Sequence, residues 1–155
     1  MDEKDEQILK ILARRSGFSS RKLSKILGMP ISTVHRRIKK MEQEGIIIGY
    51  KALIDYEKTL LPIGALMQIN LSEATPGNGH IPKKDIINAL TSFNEIEEIT
   101  EVQAANFDLM AKARFESLKK LSDFIEKTRQ IQGIDETSTA IIIEEKVLLP
   151  AQLRK

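Results

Sequence analysis

Apolar residues recur along the first third of the chain with the spacing of helix faces. Ile8, Ile11 and Leu12 fall at i, i+3 and i+4 and predict a helix over residues 2–15. Asp2, Glu3, Asp5 and Glu6 sit in its first turns and Arg14 and Arg15 at its end, the polarity that suits a helix dipole. Gly17 stops it. Ser19 or Ser20 caps a second helix, with Leu23, Ile26 and Leu27 on one face. Gly28-Met29-Pro30 is a tight break: glycine can take the left-handed position after a helix, and proline belongs beside a helix start. A third helix runs to about residue 44, with Val34, Ile38 and Met41 at i, i+4 and i+7, and Gly45 ends it.

Three short helices, the last two joined by a glycine-containing turn, predict a helix-turn-helix with its motif at about residues 20–39. The inward face of the third helix is occupied by Val34, Ile38 and Met41. Its outward face is then Ser32, Thr33, His35, Arg36, Arg37, Lys39 and Lys40. Small hydroxyls and a His–Arg pair lie near the end where recognition helices touch bases, and lysines lie where they can reach phosphates.

From residue 46 the period changes. The β-branched and aromatic run over residues 46–54 predicts a strand, and a polar connection leads to Pro62, where a domain boundary is expected. Ile63, Ala65, Met67, Ile69 and Leu71 alternate as a strand does. Residues 72–82 form a loop carrying Pro76-Gly77-Asn78-Gly79. Ile86, Ile87, Leu90 and Phe93 follow at helical spacing, residues 96–103 and 107–115 are strand-like, Ser117 caps a helix bearing Leu118, Leu121 and Ile125, and Gly133 precedes a last strand over residues 137–148. The order β-α-β-β-α-β is that of a ferredoxin-like split βαβ domain. The predicted fold class is α+β: an N-terminal helix-turn-helix domain with its linker strand over residues 1–62, and a C-terminal ferredoxin-like domain over residues 63–155.

Charge sharpens the first half. Residues 1–60 hold 13 basic against 8 acidic side chains, a net +5, whereas residues 61–155 hold 11 against 14, a net −3. Between Glu6 and Glu42 no acidic residue occurs, while the same stretch carries Lys10, Arg14, Arg15, Arg21, Lys22, Lys25, Arg36, Arg37, Lys39 and Lys40. An ordinary solvated face mixes signs, so this stretch points to a polyanion, double-stranded DNA. The chain has 155 residues, 41% hydrophobic and 30% charged, values of an ordinary globular protein. It has no cysteine, which removes disulfides, thiolate catalysis and cysteine-held metals. No apolar run approaches a membrane span, and the polar, acidic start is no signal peptide. A cytoplasmic location is expected, with no cofactor and no membrane partner.

These fragments together resemble the Lrp/AsnC family, the leucine-responsive or feast/famine transcription regulators. They are Asp5-x-x-Ile8-Leu9-x-x-Leu12, Leu23-Ser24-x-x-Leu27-Gly28, Ser32-Thr33-Val34-x-x-Arg37-Ile38-x-x-Met41-Glu42-x-x-Gly45-Ile46-Ile47 and Gly49-Tyr50, then Phe107-Asp108, Gly133 and Thr137-x-Thr139. The resemblance implies a winged-helix-like DNA-binding domain and a C-terminal domain for assembly and effector binding. It also implies homodimers that often assemble further, to tetramers or octamers, sometimes with an amino acid bound between dimers. Such an effector would lie near Ala105, Asn106 and Asp108, with Thr137 and Thr139 adding hydroxyls. The family's loop there usually begins with glycine; here it reads Ala105-Asn106-Phe107-Asp108. If that position needs a positive φ, alanine adds strain of about 1 kcal/mol, and a weak response to amino acids is expected.

Competing readings stand beside these. The cations of the third helix could be a solvated face, and His35 a metal ligand, although the only other histidine is His80 and cysteine is absent. Glu97, Glu98 and Glu101, and Glu144 with Glu145, could form an acid–base pair, but adjacent strand residues point to opposite faces and no basic partner is fixed by spacing. Asp108 could hold a ligand ammonium or cap a turn. Pro76-Gly77-Asn78-Gly79 lacks the Lys-Ser/Thr of a phosphate loop. The expected function is a sequence-specific transcription regulator that binds palindromic operators as a dimer or higher oligomer, with autoregulation and an amino-acid effector as further expectations. The alternatives are an architectural protein that wraps DNA with little sequence preference, and an enzyme or metabolite sensor, for which no catalytic constellation is present.

Overall fold

The computed structural model describes residues 1–72, 74–75 and 79–146. They divide between Ile54 and Asp55 into two compact units, with Lys146 grouped with the first and the second ending at Glu145. The break precedes Pro62, where the sequence placed it, because the short 3-10 turn Tyr56–Lys58 packs with the second unit: the Arg114 guanidinium lies 3.9 Å from the Tyr56 ring centroid.

The first unit is three helices, α1 (Glu3–Leu12), α2 (Ser20–Leu27) and α3 (Ile31–Gln43). Each boundary has a local cause. Asp2 caps α1 and accepts from the Asp5 backbone, while the Asp5 carboxylate accepts from the Asp2 backbone, a reciprocal capping box. Ser19, not Ser20, caps α2, and Gly28 ends it in the left-handed conformation at φ 63°, which glycine adopts without steric cost. The helices meet over Ile8, Leu12, Leu23, Met29, Val34, Ile38 and Met41. Fully burying one such aliphatic side chain stabilises by about 1.5–3 kcal/mol.

Residues 46–54, expected as a strand, form neither strand nor helix. A strand needs a ladder partner, and none is present among the described residues of the unit. The segment is held at points instead. The Ile46 and Ile47 amides donate to the Met41 carbonyl at 2.9 and 3.1 Å, and Ser16 Oγ donates to the Lys51 carbonyl at 2.7 Å. The Tyr50 hydroxyl donates to Glu42 at 2.7 Å.

The second unit contains β1 (Ile63–Leu71), the short pair β2 (Ala74–Thr75) and β3 (Gly79–His80), α4 (Lys83–Thr91), β4 (Ile96–Glu101), β5 (Leu109–Phe115), α5 (Leu118–Arg129) and β6 (Ile134–Ile142). The four-stranded sheet runs β4-β5-β1-β6 with every neighbour antiparallel. β1 and β4 are linked through a helix but separated by β5, which is the split βαβ of a ferredoxin-like domain. The loop expected over residues 72–82 carries β2 and β3, and of Pro76-Gly77-Asn78-Gly79 only Gly79 lies within the described residues. The last strand ends at Ile142, not at residue 148; Val147 and Leu148 lie outside the described residues.

Alternation in β1 and β5 builds the core. Ala65, Met67, Ile69, Leu109, Ala111, Ala113 and Phe115 face Ile86 and Leu90 of α4 and Leu121 and Phe124 of α5. Phe124 packs against Phe93 edge-on at 5.2 Å and against Phe115 at 5.1 Å.

Candidate nucleic-acid interface

Helix α3 is amphipathic in the way its sequence predicts. Val34, Ile38 and Met41 are buried, while Ile31, Ser32, His35, Arg36, Lys39, Lys40 and Gln43 are exposed. At about 100° per residue these exposed positions form one continuous outward arc. Ser32, His35 and Arg36 occupy its first half. No ion pair among the described residues engages Arg36 or His35. Lys39 lies 3.0 Å from Glu42, and Lys40 lies 3.7 Å from Glu44, both exposed pairs of the kind that contributes little and exchanges readily for another anion. Thr33 is half-buried at the edge of the arc.

Arg37 departs from the outward set. Its guanidinium turns back to α1 and holds Asp5 at 2.7 Å and Asp2 at 2.8 Å. It lies on the flank of α3 next to the buried stripe, so its reach is to the start of α1 and not outward. The Asp5 carboxyl is held below its ordinary value, first by Arg37 and then by the Asp2 backbone amide. Asp2 is held down first by the Asp5 amide and then by Arg37. Arg37 is therefore the strut that sets α3 on α1. The signal for this lay in the acidic first turn of α1, whose carboxylates at i and i+3 were legible as helix-dipole partners only. A groove of about 430 Å³ lies at this junction, lined by Met1, Asp2, Asp5, Arg36, Arg37 and Lys40.

On α2, Arg21 and Lys22 are exposed in the first turn. The Lys22 ammonium sits 4.2 Å from the Phe18 ring centroid, which orients it without neutralising it. In the last turn of α3, Glu42 is the first carboxylate after the acid-free stretch, and it is tied up by Tyr50 and Lys39. Tyr50 is pushed up to about 12, first by desolvation and then by Glu42. The net result is a helix face whose cations project outward and whose nearest carboxylates are engaged.

The effector residues expected from the resemblance are not gathered into one site. Ala105 and Asn106 are exposed in the loop before β5. No residue other than glycine has a positive φ among those described, so the backbone strain expected at Ala105 is absent. Asp108 accepts from the Leu71 amide at 2.8 Å, while its own amide donates to the Ile69 carbonyl at 2.9 Å. Its carboxylate thus closes the end of β1 beside the register shift at Asn70/Leu71, the capping alternative. Thr137 and Thr139 lie on β6, on the far side of β1, opposite Ile69 and Met67. The Arg129 Nε donates to the Thr137 hydroxyl at 3.5 Å.

Three of the carboxylates considered as an acid–base pair, Glu97, Glu101 and Glu145, are ion-paired instead. The register shift between Ile96 and Glu98 marks a bulge at Glu97, which reaches Arg114 at 3.6 Å and accepts from the Tyr56 hydroxyl. Arg114, 5% exposed, also pairs with Glu145, and Lys112 pairs with the same carboxylate, which is held below its ordinary value first by Lys112 and then by Arg114. Glu101 pairs with Lys83 at 2.6 Å. Among the described residues no three His, Asp or Glu side chains are grouped to hold a metal, and no helix is long and apolar enough to cross a membrane.

Comparison with known proteins agrees with both halves. Residues 1–48 match a family model described as winged helix-turn-helix DNA-binding, and residues 76–150 one described as the Lrp/AsnC ligand binding domain. An uncharacterised HTH-type transcriptional regulator of Pyrococcus furiosus is 31% identical over 149 residues, 94% of each chain. The HTH-type transcriptional regulator FL11 of Pyrococcus horikoshii is 28% identical over 144 residues, covering 93% of this chain and 90% of that one. Among solved structures, LrpC of B. subtilis superposes with a TM-score of 0.73 at 25% identity, covering 95% of this chain and 97% of that one. A transcriptional regulator of Neisseria meningitidis, solved as a complex with L-Met, superposes with a TM-score of 0.78 at 20% identity, covering 96% and 94%. That last likeness is one of fold.

Proposed function

The chain belongs to the Lrp/AsnC family of DNA-binding transcription regulators, and we propose that it is a site-specific member that reads a rough palindrome as a dimer. The observation that carries the reading is the outward arc of α3, where Ser32, His35 and Arg36 stand exposed ahead of Lys39 and Lys40. In this reading Ser32, Thr33, His35 and Arg36 face base edges in the major groove, and Arg21, Lys22, Lys39 and Lys40 contact phosphates. Arg37 acts from behind, by fixing the angle of α3 on α1. Residues 1–62 carry DNA recognition, and residues 63–155 carry assembly and any effector response. The chain has no catalytic role and works in the cytoplasm.

Footprinting and titration on the promoter of its own gene test the proposal. A site-specific regulator protects a defined site and prefers it over scrambled DNA by about 10³-fold or more at physiological salt. Uniform protection with a ratio near one would identify an architectural, DNA-wrapping protein instead.

The dimer rests on residues 46–54. Ile48 is 96% exposed and Leu53 61% exposed, and the segment has no ladder partner among the described residues. β-branched residues without a partner suit pairing with the same segment of a second copy across a two-fold axis. Half-sites then lie about 34–36 Å apart, one turn of DNA. Sedimentation at micromolar concentration checks this: a stable monomer that still binds a half-site tightly contradicts it. For the effector, a weak response to the common amino acids is proposed, with the C-terminal domain serving mainly assembly. Its support is now the engagement of Asp108 by Leu71 and the separation of that carboxylate from Thr137 and Thr139 by β1.

A further inference from the structure

Ile31 is the first residue of α3 and is 47% exposed. It belongs to neither the buried core of the first unit nor the half-buried shell around it. Helix stability does not call for it either. β-branched residues are indifferent helix formers, and the preceding N-cap, Pro30, supplies no side-chain hydrogen bond. Among the described residues, the core of the unit does not account for an isoleucine at this point. On the outward arc, whose other members are Ser32, His35, Arg36, Lys39, Lys40 and Gln43, it is the one large apolar side chain.

We propose that Ile31 is a specificity-determining residue that packs against the 5-methyl group of thymine in the major groove. The inference rests on α3 being the reading helix. Three features place it there. Side chains on a helix lean toward its N-terminus, so Ile31 projects past the end of α3 that enters the groove. The thymine methyl is the apolar feature of the major-groove edge, and apolar side chains recognise it. The flanking cations Arg36, Lys39 and Lys40 keep the helix on the polyanion, while the stiff χ1 of isoleucine holds the methyl-bearing side chain ready at little entropic cost. Arg36 and Ile31 would then read different bases of one half-site, guanine by hydrogen bonds and thymine by shape.

The test places deoxyuridine for thymine, one position at a time, in a duplex that the full-length protein has selected from randomised DNA. Deoxyuridine pairs as thymine does and lacks only the methyl group. At one or two thymines per half-site the wild-type protein should bind about fourfold more weakly, the effect of one buried carbon group. Ile31→Ala should bind the thymine duplex more weakly by at least that factor and be indifferent to deoxyuridine at the same positions. Ile26→Ala, which removes an exposed isoleucine of α2, should retain the wild-type dependence. Selection of a defined site with no thymine methyl mattering overturns the inference alone, and needs no variant to fold. Ile31→Ala altering the oligomeric state while every deoxyuridine duplex binds as the parent does shows that the side chain covers a second copy, and likewise overturns it. Failure to select any sequence overturns the site-specific reading and this inference with it.

Discussion

The Arg37 guanidinium, on the third helix, holds the Asp5 carboxylate of the first at 2.7 Å, and Asp5 is at the same moment half of the capping box that starts α1. One arginine therefore ties the orientation of the reading helix to the first turn of another. Both carboxyls are held below the ordinary value of 3.8, so the folded unit binds fewer protons than the unfolded chain in the acid range. Their contribution is fully present above about pH 5 and is lost as the pH falls through 4 and below, while Arg37 stays charged throughout. Arg37→Met should lower the melting temperature at neutral pH and flatten the acid dependence without abolishing it, because backbone amides still hold both carboxylates. Amide signals of α1 and α3 followed from pH 7 to 3 check this. Superimposable acid profiles for the two proteins would show that Arg37 contributes nothing to the junction.

Base reading and phosphate binding should separate by mutation. Arg36 is exposed and without an ion pair among the described residues, whereas Lys40 stands a turn further from the helix start. Arg36→Ala should cost about 1–3 kcal/mol on the selected site and relax specificity at one position per half-site. Lys40→Ala should weaken binding to all sequences alike and reduce the salt slope by about one. Titrations on matched and scrambled duplexes at several salt concentrations decide it, and identical behaviour of the two variants defeats the assignment.

What was legible in the sequence was what is local. The spacing of Ile8, Ile11 and Leu12, the cap at Ser19 and the turn at Gly28 involve neighbours a few residues apart, and all three helices follow from them. The alternation of Ala65, Met67 and Ile69 likewise disclosed a strand with one buried face. Three features needed contacts that spacing does not encode. Arg37 reads as another outward cation until Asp5, thirty-two residues earlier, is placed beside it. Glu97 reads as a solvated strand residue until the bulge turns it to Arg114 and Tyr56. Residues 46–54 have β propensity, but propensity is not pairing, and among the described residues the pairing is missing. Ile31 reads as packing beside a proline break until its exposure is known.

Gly133 shows how tightly the second unit is closed. Its φ is +90°, and a Cβ added there would stand 2.5 Å from Ile86 Cδ1, a core side chain 2% exposed. Gly133→Ala combines the left-handed penalty with overpacking and should destabilise by about 2–4 kcal/mol. Gly17→Ala, where an added Cβ meets nothing within 4 Å, should change stability by less than about 0.5 kcal/mol. Denaturant unfolding of both variants makes the comparison; equal stabilities would mean that the turn before β6 yields freely.

The effector question turns on Asp108. One carboxylate oxygen already accepts from the Leu71 amide at 2.8 Å, so a ligand ammonium would have to share the group or displace that bond. Asp108→Ala removes the acceptor and leaves a half-buried amide without its partner, at a cost of about 1–3 kcal/mol. Asp108→Asn keeps an acceptor at the same place and removes the charge, so it should retain most of the stability. This pair separates structure from sensing. Wild-type protein screened by thermal shift against the twenty amino acids at millimolar concentration should give small shifts or none. Saturating binding, by contrast, would stabilise by about 2.7 kcal/mol at a hundredfold excess over the dissociation constant. A clear shift with one amino acid that survives in neither variant would assign Asp108 to the ligand and refute a domain kept mainly for assembly. A shift lost in Asp108→Ala but intact in Asp108→Asn would mean that the strand end must be closed for the ligand to bind, with the ammonium held elsewhere.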